Sequence, residues 1–212
     1  NSMLAWVCGD ACIWKPSEKV PLSAIACQNI IQEVFAANDV PAGICGLVIG
    51  DATIGKAMAE DPRIALVSAT GSTRMGKSVA AAVGARLGKS ILELGGNNAI
   101  IITEHADLDI AIPGAVFGAV GTAGQRCTST RRLIIHESQY EAMKSKLAHA
   151  YGQLSIGNPL DQQNHMGPLI DQDAVKSYLA ALSKIEAEGG KVVVPGGVIM
   201  GTGFESGCYV KP

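Results

Sequence analysis

The sequence predicts an α/β protein in which helices cover both faces of a parallel sheet. Short apolar runs alternate along the chain with longer stretches whose apolar residues recur at helical spacing, and glycine or proline separates most of them. Strands that alternate with helices in this way usually pair in parallel, because each crossover helix carries the chain back to the same end of the sheet. Apolar residues make up 48% of the chain and charged residues 17%, which is enough for a sizeable core.

The first part of the chain is predicted to contain four strands and three helices. Apolar residues at helical spacing predict a helix from Ser23 to about Asn38, and the segment Pro41-Ala42-Gly43 ends it. The predicted strands are residues 11–15, 46–50, 64–68 and 90–94, and the other helices run to about residue 60 and over residues 73–87.

A second series of strands and helices follows Gly96, so we place a domain boundary there. Residues 1–96 then form one domain and residues 97–212 a second. Pro113 lies in the first helix of the second domain and is expected to kink it or to mark its first turn. The predicted strands here are residues 99–103, 132–136 and 191–195, the helices begin near residues 108, 138 and 173, and residues 158–168 are predicted to form a loop.

The composition argues against several classes of function. The net charge of −2 gives no basic field for nucleic acid or for an acidic membrane, and no apolar stretch is long enough to span a bilayer. The six cysteines form no CxxC pair and no zinc-binding pattern, which predicts reduced thiols in a cytoplasmic protein without a metal site. The four histidines, at positions 105, 136, 149 and 165, show no ligand spacing either.

A glycine loop after the third predicted strand has two interpretations. Residues 71–78 read Gly-Ser-Thr-Arg-Met-Gly-Lys-Ser, which matches the phosphate-binding loop of P-loop NTPases. In an NTPase the helix begins near Lys77 and Ser78, and the lysine reaches the terminal phosphates. Otherwise the helix begins at Ser72 or Thr73, whose hydroxyls cap it and contact the pyrophosphate of a dinucleotide. The capping residues favour the dinucleotide, but the loop alone leaves both interpretations open.

A carboxylate and a thiol are the candidate catalytic groups. Glu93 ends an apolar run and is followed by two glycines, which permit the tight turn and close backbone approach of a site at the end of a strand. Cys127 lies in a loop of small residues beside Arg126, whose charge favours the nucleophilic thiolate. If the fold brings Glu93 and Cys127 to one cleft, they form the base and the nucleophile that covalent catalysis at a carbonyl carbon needs.

Four stretches together resemble the aldehyde dehydrogenase superfamily, and their order and spacing fit it along essentially the whole chain. They are Trp-Lys-Pro-Ser-Glu at 14–18, the glycine loop at 71–76, Glu-Leu-Gly-Gly at 93–96 and Gly-Gln-Arg-Cys at 124–127. The two last stretches, with the residues that follow them, most resemble the antiquitin branch, the α-aminoadipic semialdehyde dehydrogenases. The resemblance implies the aldehyde dehydrogenase fold, in which a Rossmann-like NAD-binding domain, here residues 1–96, precedes a catalytic domain, here residues 97–212.

The resemblance also implies roles for individual residues. Cys127 would form a thiohemiacetal and then a thioester with the aldehyde, and Glu93 would activate the water that hydrolyses the thioester. Arg126 and Thr128 would contact the substrate, and in the antiquitin branch the arginine would bind its distant carboxylate. Glu18 would bind the adenosine ribose and, by repelling a 2′-phosphate, would favour NAD over NADP. The full set of implied cofactor contacts is Lys15, Glu18, Gly55, Lys56, Gly71, Ser72, Thr73, Gly76 and Leu94.

The family is longer than this chain at both ends. Its oxyanion-hole asparagine would precede Asn1, and the Glu-x-Phe motif that holds the nicotinamide ribose would follow Pro212. The resemblance therefore implies a middle segment of an enzyme of lysine degradation that acts on a semialdehyde and is a homo-oligomer in its full-length form. An inactive chain that retains the fold and, more remotely, a P-loop NTPase are the alternatives.

Overall fold

All 212 residues are described by the structure, a computed structural model that divides into two compact units, Asn1–Leu94 and Gly95–Pro212. The division falls two residues before the boundary that the sequence predicts after Gly96. None of the helices is long and apolar enough to cross a bilayer. We describe each unit by itself.

The first unit alternates helices and strands from end to end. Its elements are α1 Ser2–Val7, β1 Cys12–Trp14, α2 Pro21–Ala37, β2 Cys45–Leu47, α3 Ala52–Glu60, β3 Leu66–Gly71, α4 Thr73–Ala85 and β4 Lys89–Leu94. The four predicted strands and three predicted helices are therefore present. Helix α1 was missed, because a six-residue segment is too short for helical periodicity to show.

The predicted single sheet is wrong for this unit, because the strands form two separate parallel pairs, β1 with β2 and β3 with β4. The first residues of the chain contact both pairs. The Asn1 carboxamide donates to the Ser68 hydroxyl of β3 at 2.7 Å, and the Cys12 thiol of β1 lies 3.4 Å from the Ser2 hydroxyl. Side-chain hydrogen bonds from the first two residues thus connect the two pairs.

The second unit contains one parallel pair, one short antiparallel pair and three long helices. Its elements are β5 Asn98–Ile102, α5 Leu108–Val120, β6 Thr130–Ile135, α6 Glu137–Gly152, α7 Gln172–Ala187, β7 Gly197–Val198 and β8 Val210–Lys211. Strand β5 pairs in parallel with β6, and β7 pairs antiparallel with β8. Helix α5 continues through Pro113, which is its sixth residue, so the expectation that this proline marks the first turn is wrong. Residues 158–168 are loop as predicted, apart from a single bridge between Met166 and Ile156.

The core cluster of the second unit that concerns the site lies between one face of the β5–β6 pair and the helices α5 and α6, and a separate cluster surrounds Val175. Met143 is fully buried there against Ile102 and Ile112. Ile102 of β5 is in register with Ile135 of β6, so both side chains contribute to the same face. This packing fixes β5 and β6, and β6 begins three residues after the candidate nucleophile Cys127.

The predicted strand at residues 191–195 is wrong. Its three valines have a high β-propensity, but Pro195 cannot donate to a ladder and the segment has no neighbouring strand. Pairing begins only at Gly197, which is opposite Lys211 and whose amide donates to the Tyr178 hydroxyl at 2.8 Å. A strand requires a partner, and the one available here, β8, pairs with Gly197 and Val198 instead.

Candidate functional site

The glycine loop leads into a helix that begins at Thr73 with Ser72 as its N-cap. The Ser72 hydroxyl accepts a hydrogen bond from the amide of Met75 at 3.1 Å. The amides of Thr73 and Arg74, in the first turn, have no acceptor within the chain and are available to an anion. The predicted helix start at Ser72 or Thr73 is confirmed. Lys77 lies a full turn inside the helix, so the geometry of a P-loop NTPase is absent.

Helix α4 approaches strand β4 closely at one glycine. A Cβ at buried Gly76 would lie 2.6 Å from both terminal methyl carbons of Leu94. Such close helix–strand packing is a use of glycine in dinucleotide-binding domains. Gly76 and Leu94, both predicted cofactor residues, therefore pack against each other and fix the start of α4 relative to the end of β4.

Lys15 follows strand β1 and is held by backbone carbonyls. Its ammonium donates to the carbonyl of Gly50 at 2.8 Å and to that of Pro16 at 2.5 Å. The Glu18 carboxylate lies 3.9 Å away, with 56% of its side chain exposed against 17% for Lys15. A largely screened pair at this distance contributes little to stability. Glu18 is thus accessible to a ligand, whereas Lys15 bridges the ends of β1 and β2.

A cavity of about 370 Å³ lies beside the carboxyl end of β1. The carboxyl ends of parallel strands are where ligands bind in α/β folds. The residues that line this cavity are Asn1, Ser2, Trp14, Lys15, Pro16, Ser17, Ser68 and Thr70.

Gly55 and Lys56, two of the implied cofactor contacts, lie in the middle of α3 and not at its start, where backbone amides are free to bind an anion. Asp51 caps α3 by accepting a hydrogen bond from the Thr53 amide at 2.9 Å, so the helix begins at Ala52. A Cβ on Gly55 would lie 3.8 Å from Lys15 Cδ, and Lys56 points along the helix toward Glu60, with 3.7 Å between the charged atoms.

Glu93 is the penultimate residue of β4 and its side chain is exposed. It is in register with Thr70 of β3, one residue before Gly71 leads into the capped start of α4. The half-buried Leu92 and Leu94 point to the opposite face of the strand. Alternation along β4 therefore presents the Glu93 carboxylate to solvent at the carboxyl end of this pair.

Cys127 occupies the second position of a β-turn formed by residues 126–129. The Ser129 amide donates to the Arg126 carbonyl at 3.2 Å, and the Arg126 amide donates to the Ser129 hydroxyl at 3.1 Å. Ser129 is buried with 2% exposure, whereas Cys127 and Thr128 are exposed. The turn therefore anchors on Ser129 and presents a free thiol to solvent.

The turn of Cys127 is preceded by a backbone segment in the left-handed region. Thr122 and Ala123 have φ values of 54° and 53°, a conformation that costs a non-glycine residue roughly 1–2 kcal/mol. Two side chains brace it: Arg126 Nε donates to the Thr122 hydroxyl at 2.8 Å, and Gln125 Nε2 donates to the Thr122 carbonyl at 3.2 Å. The Arg126 guanidinium also lies 5.4 Å from the centre of the Phe117 ring.

Two carboxamides that sequence reasoning missed contact the loop of Cys127. Asn98 Nδ2 donates to the carbonyls of Cys127 and Ser129 at 2.6 and 3.0 Å. Gln125 Oε1 accepts from the Ile170 amide at 2.9 Å, which ties the loop to the segment before α7. The sequence signal that could have identified them is their position beside the two motifs: Asn98 is two residues after Gly96, and Gln125 is two residues before Cys127.

The chain matches the model of the aldehyde dehydrogenase family over residues 1–212. It is 48% identical to α-aminoadipic semialdehyde dehydrogenase of Bos taurus over 212 residues, which is all of this chain and 39% of that protein. The chain thus spans about two-fifths of the length of the curated relatives it matches.

Two solved structures with bound ligands have the same arrangement of elements. Betaine aldehyde dehydrogenase from Staphylococcus aureus, a double mutant in complex with NAD+ and with a BME-modified cysteine, matches with a TM-score of 0.88 and 27% identity over 95% of this chain and 40% of that one. Aldehyde dehydrogenase C from Pseudomonas syringae, a mutant in complex with NAD+ and octanal, matches with a TM-score of 0.85 and 30% identity over 95% and 41%.

Proposed function

We propose that this chain, which belongs to the aldehyde dehydrogenase family, carries the nucleophile, the general base and much of the NAD site of an NAD-dependent aldehyde dehydrogenase. The observation that carries the proposal is the turn of residues 126–129, which presents the Cys127 thiol to solvent on a hydrogen-bonded support. A nucleophile on a fixed backbone needs little reorganisation before attack.

In the proposed reaction the Cys127 thiolate attacks the aldehyde carbon and forms a thiohemiacetal. NAD, when bound, would accept the hydride that the thiohemiacetal loses, and Cys127 would then hold a thioester. The Glu93 carboxylate then takes a proton from water, whose oxygen attacks the thioester carbonyl. The carbon–sulfur bond breaks, the acid leaves and the thiolate is regenerated, so an aldehyde, NAD+ and water give an acid, NADH and protons.

The residues of the first unit fit a dinucleotide. The two free amides at the start of α4 suit a pyrophosphate, and a Cβ on Gly71, just before that helix, would lie 2.6 Å from Met75 Cε. The accessible Glu18 carboxylate suits a pair of ribose hydroxyls and would repel a 2′-phosphate, which favours NAD over NADP. NAD+ in the Staphylococcus aureus and Pseudomonas syringae relatives supports the same cofactor here.

For the substrate we propose a semialdehyde with a distant carboxylate, such as α-aminoadipic semialdehyde. The identity to the Bos taurus enzyme of that name supports this class. Arg126 is the candidate partner of the carboxylate, because Nε is bonded to Thr122 while Nη1 and Nη2 have no acceptor in the chain. Planar guanidinium nitrogens bind carboxylates well. Thr128, exposed beside Cys127, is a candidate for the wall of the aldehyde pocket.

Two variants of the full-length protein test the mechanism. Cys127→Ser should abolish NADH formation, because an unactivated hydroxyl is a far weaker nucleophile than a thiolate. Glu93→Gln should give one equivalent of NADH per active site in a burst and then stall, since the amide cannot take a proton from water. Rapid-mixing NADH fluorescence measures both, and mass spectrometry should find the acyl group on Cys127.

The main alternative is a chain that has the aldehyde dehydrogenase fold but no catalytic activity. It predicts NAD binding with no burst and no acyl adduct at Cys127, in the wild type as in the Glu93→Gln variant. NADH formation that survives Cys127→Ser would also overturn the proposal, because the reaction would then not pass through this thiol.

A further inference from the structure

We infer that Asn98 is a positioning residue for the Cys127 nucleophile. This inference rests on the proposed function and adds a residue to its machinery. Asn98 Nδ2 donates both of its hydrogens within the turn of residues 126–129, to the Cys127 carbonyl at 2.6 Å and to the Ser129 carbonyl at 3.0 Å. One carboxamide thus ties together the backbone of the nucleophile and the buried residue on which its turn is anchored.

The orientation of the carboxamide follows from the chemistry of its partners. Carbonyl oxygens only accept hydrogen bonds, so the amide nitrogen of Asn98, not its oxygen, must face Cys127 and Ser129. The oxygen points the other way, where a Cβ on Gly96 would lie 3.1 Å from Oδ1. The glycine after Glu93-Leu94-Gly95 therefore leaves room for the carboxamide that reaches the turn.

A β-bulge places Asn98 at this point. Asn98 is in register with Thr130 of β6, but its neighbour Ala99 is in register with Arg132. No residue of β5 therefore lies opposite Arg131, and the register shifts by one residue. Bulges redirect side chains at the ends of strands and are frequent beside active sites. Here the bulge lies between the rigid β5–β6 pair, which packs on the core at Ile102, and the turn that carries Cys127.

Asn98 therefore holds the backbone of Cys127 at a fixed position relative to the paired strands β5 and β6. Without the two bonds the exposed Cys127 carbonyl would be solvated by water and the turn would be held by its own internal hydrogen bonds alone. Displacement of a reacting group by about 1 Å can reduce the rate by about a hundredfold. The loss is expected in kcat, because Asn98 contacts the backbone of the nucleophile and not the cofactor elements of the first unit.

The test compares Asn98→Asp and Asn98→Ala in the full-length protein. Asp has the size of Asn but, when ionised, places a carboxylate against two carbonyl oxygens, so it should lower kcat by about 10-fold to 100-fold and at least as much as Ala does. The KM for NAD should stay within about twofold, because cofactor contacts are unchanged. A residue that only filled space would tolerate Asp and not Ala.

Iodoacetamide labelling gives a readout that does not need turnover. Cys127 in the wild type should be alkylated faster than the exposed Cys8 and Cys27, which serve as internal references, and the Asp and Ala variants should lose that advantage. Asn97→Asp makes the same chemical change one residue earlier, at an exposed side chain without a partner, and should behave as the wild type.

The outcomes separate this inference from the proposed function. Wild-type labelling rates and kcat in both Asn98 variants would overturn the positioning role, and so would a loss of kcat that is explained by an equal loss of folded protein on melting. A wild-type protein that oxidises no aldehyde would overturn the proposed function instead, while the labelling of Cys127 would still report on Asn98.

Discussion

The two units present their candidate functional groups in different ways. In Asn1–Leu94 the groups suited to a pyrophosphate are backbone groups, namely the two free amides at the start of α4. In Gly95–Pro212 the candidate nucleophile is held by side chains, namely the carboxamides of Asn98 and Gln125 and the guanidinium of Arg126. A site built from backbone depends on small residues, whereas a site held by side chains depends on the identity of each one.

This difference predicts how the units respond to substitution. Changes in the side chains around Cys127 should reduce turnover or specificity, because each side chain fixes one part of the loop. Changes around α4 should instead reduce cofactor affinity or stability by smaller amounts, since caps and glycines act through the backbone.

The largest effect on a KM is expected at Arg126. If it binds the distant carboxylate of the substrate, Arg126→Ala should raise the KM for an acidic semialdehyde by about 10-fold to 100-fold, which corresponds to roughly 1.5–3 kcal/mol for a charge-assisted bond. The loss on a simple aliphatic aldehyde should be much smaller, because it can come only from the missing brace on Thr122. Steady-state kinetics with the two substrates measures the ratio.

Arg132→Ala is the matched control, because Arg132 is an exposed arginine of β6 whose side chain makes no hydrogen bond or ion pair in the chain. It should change neither KM. Equal losses on both substrates in Arg126→Ala would show that this arginine acts as the brace of the left-handed segment at Thr122, and the substrate assignment would then be an aldehyde without further detail.

The same difference explains what the sequence predicted well. Neighbouring residues determine the helix start at Thr73, because the cap Ser72 and the flanking glycines are adjacent to it in the chain. The brace on Cys127 is not local: Asn98 is 29 residues from it, and nothing in the composition of either segment indicates the contact. The predicted strand at residues 191–195 failed for the same reason, because its β-propensity is local and the required partner strand is not.

A smaller effect is expected at the cap of α4. Ser72→Ala removes the acceptor of the Met75 amide and should lower the free energy of unfolding by about 1 kcal/mol. Ser72→Asp should restore the cap and favour the helix dipole, yet weaken NAD binding, because its carboxylate would lie beside the pyrophosphate. Thermal melting and calorimetry with NAD separate the two quantities. Unchanged NAD affinity in Ser72→Asp would place the pyrophosphate elsewhere.

The smallest effect is expected from one pair of glycines in α4, and it tests whether backbone approach or helix propensity matters there. Ala is favoured over Gly inside a helix by up to about 1 kcal/mol. At Gly84 an added Cβ meets nothing within 4 Å, so Gly84→Ala should raise the Tm by about 2–4 °C.

At Gly76 the same Cβ would lie 2.6 Å from the methyl carbons of Leu94, and moving that side chain costs about as much as the propensity gains. Gly76→Ala should therefore leave the Tm unchanged or lower it. Because Leu94 follows Glu93, Gly76→Ala should also slow the Glu93-dependent hydrolysis of the thioester, which Gly84→Ala should not. A Tm gain in both variants, with both hydrolysis rates intact, would mean that the α4–β4 approach tolerates a methyl group and that Gly76 serves the helix alone.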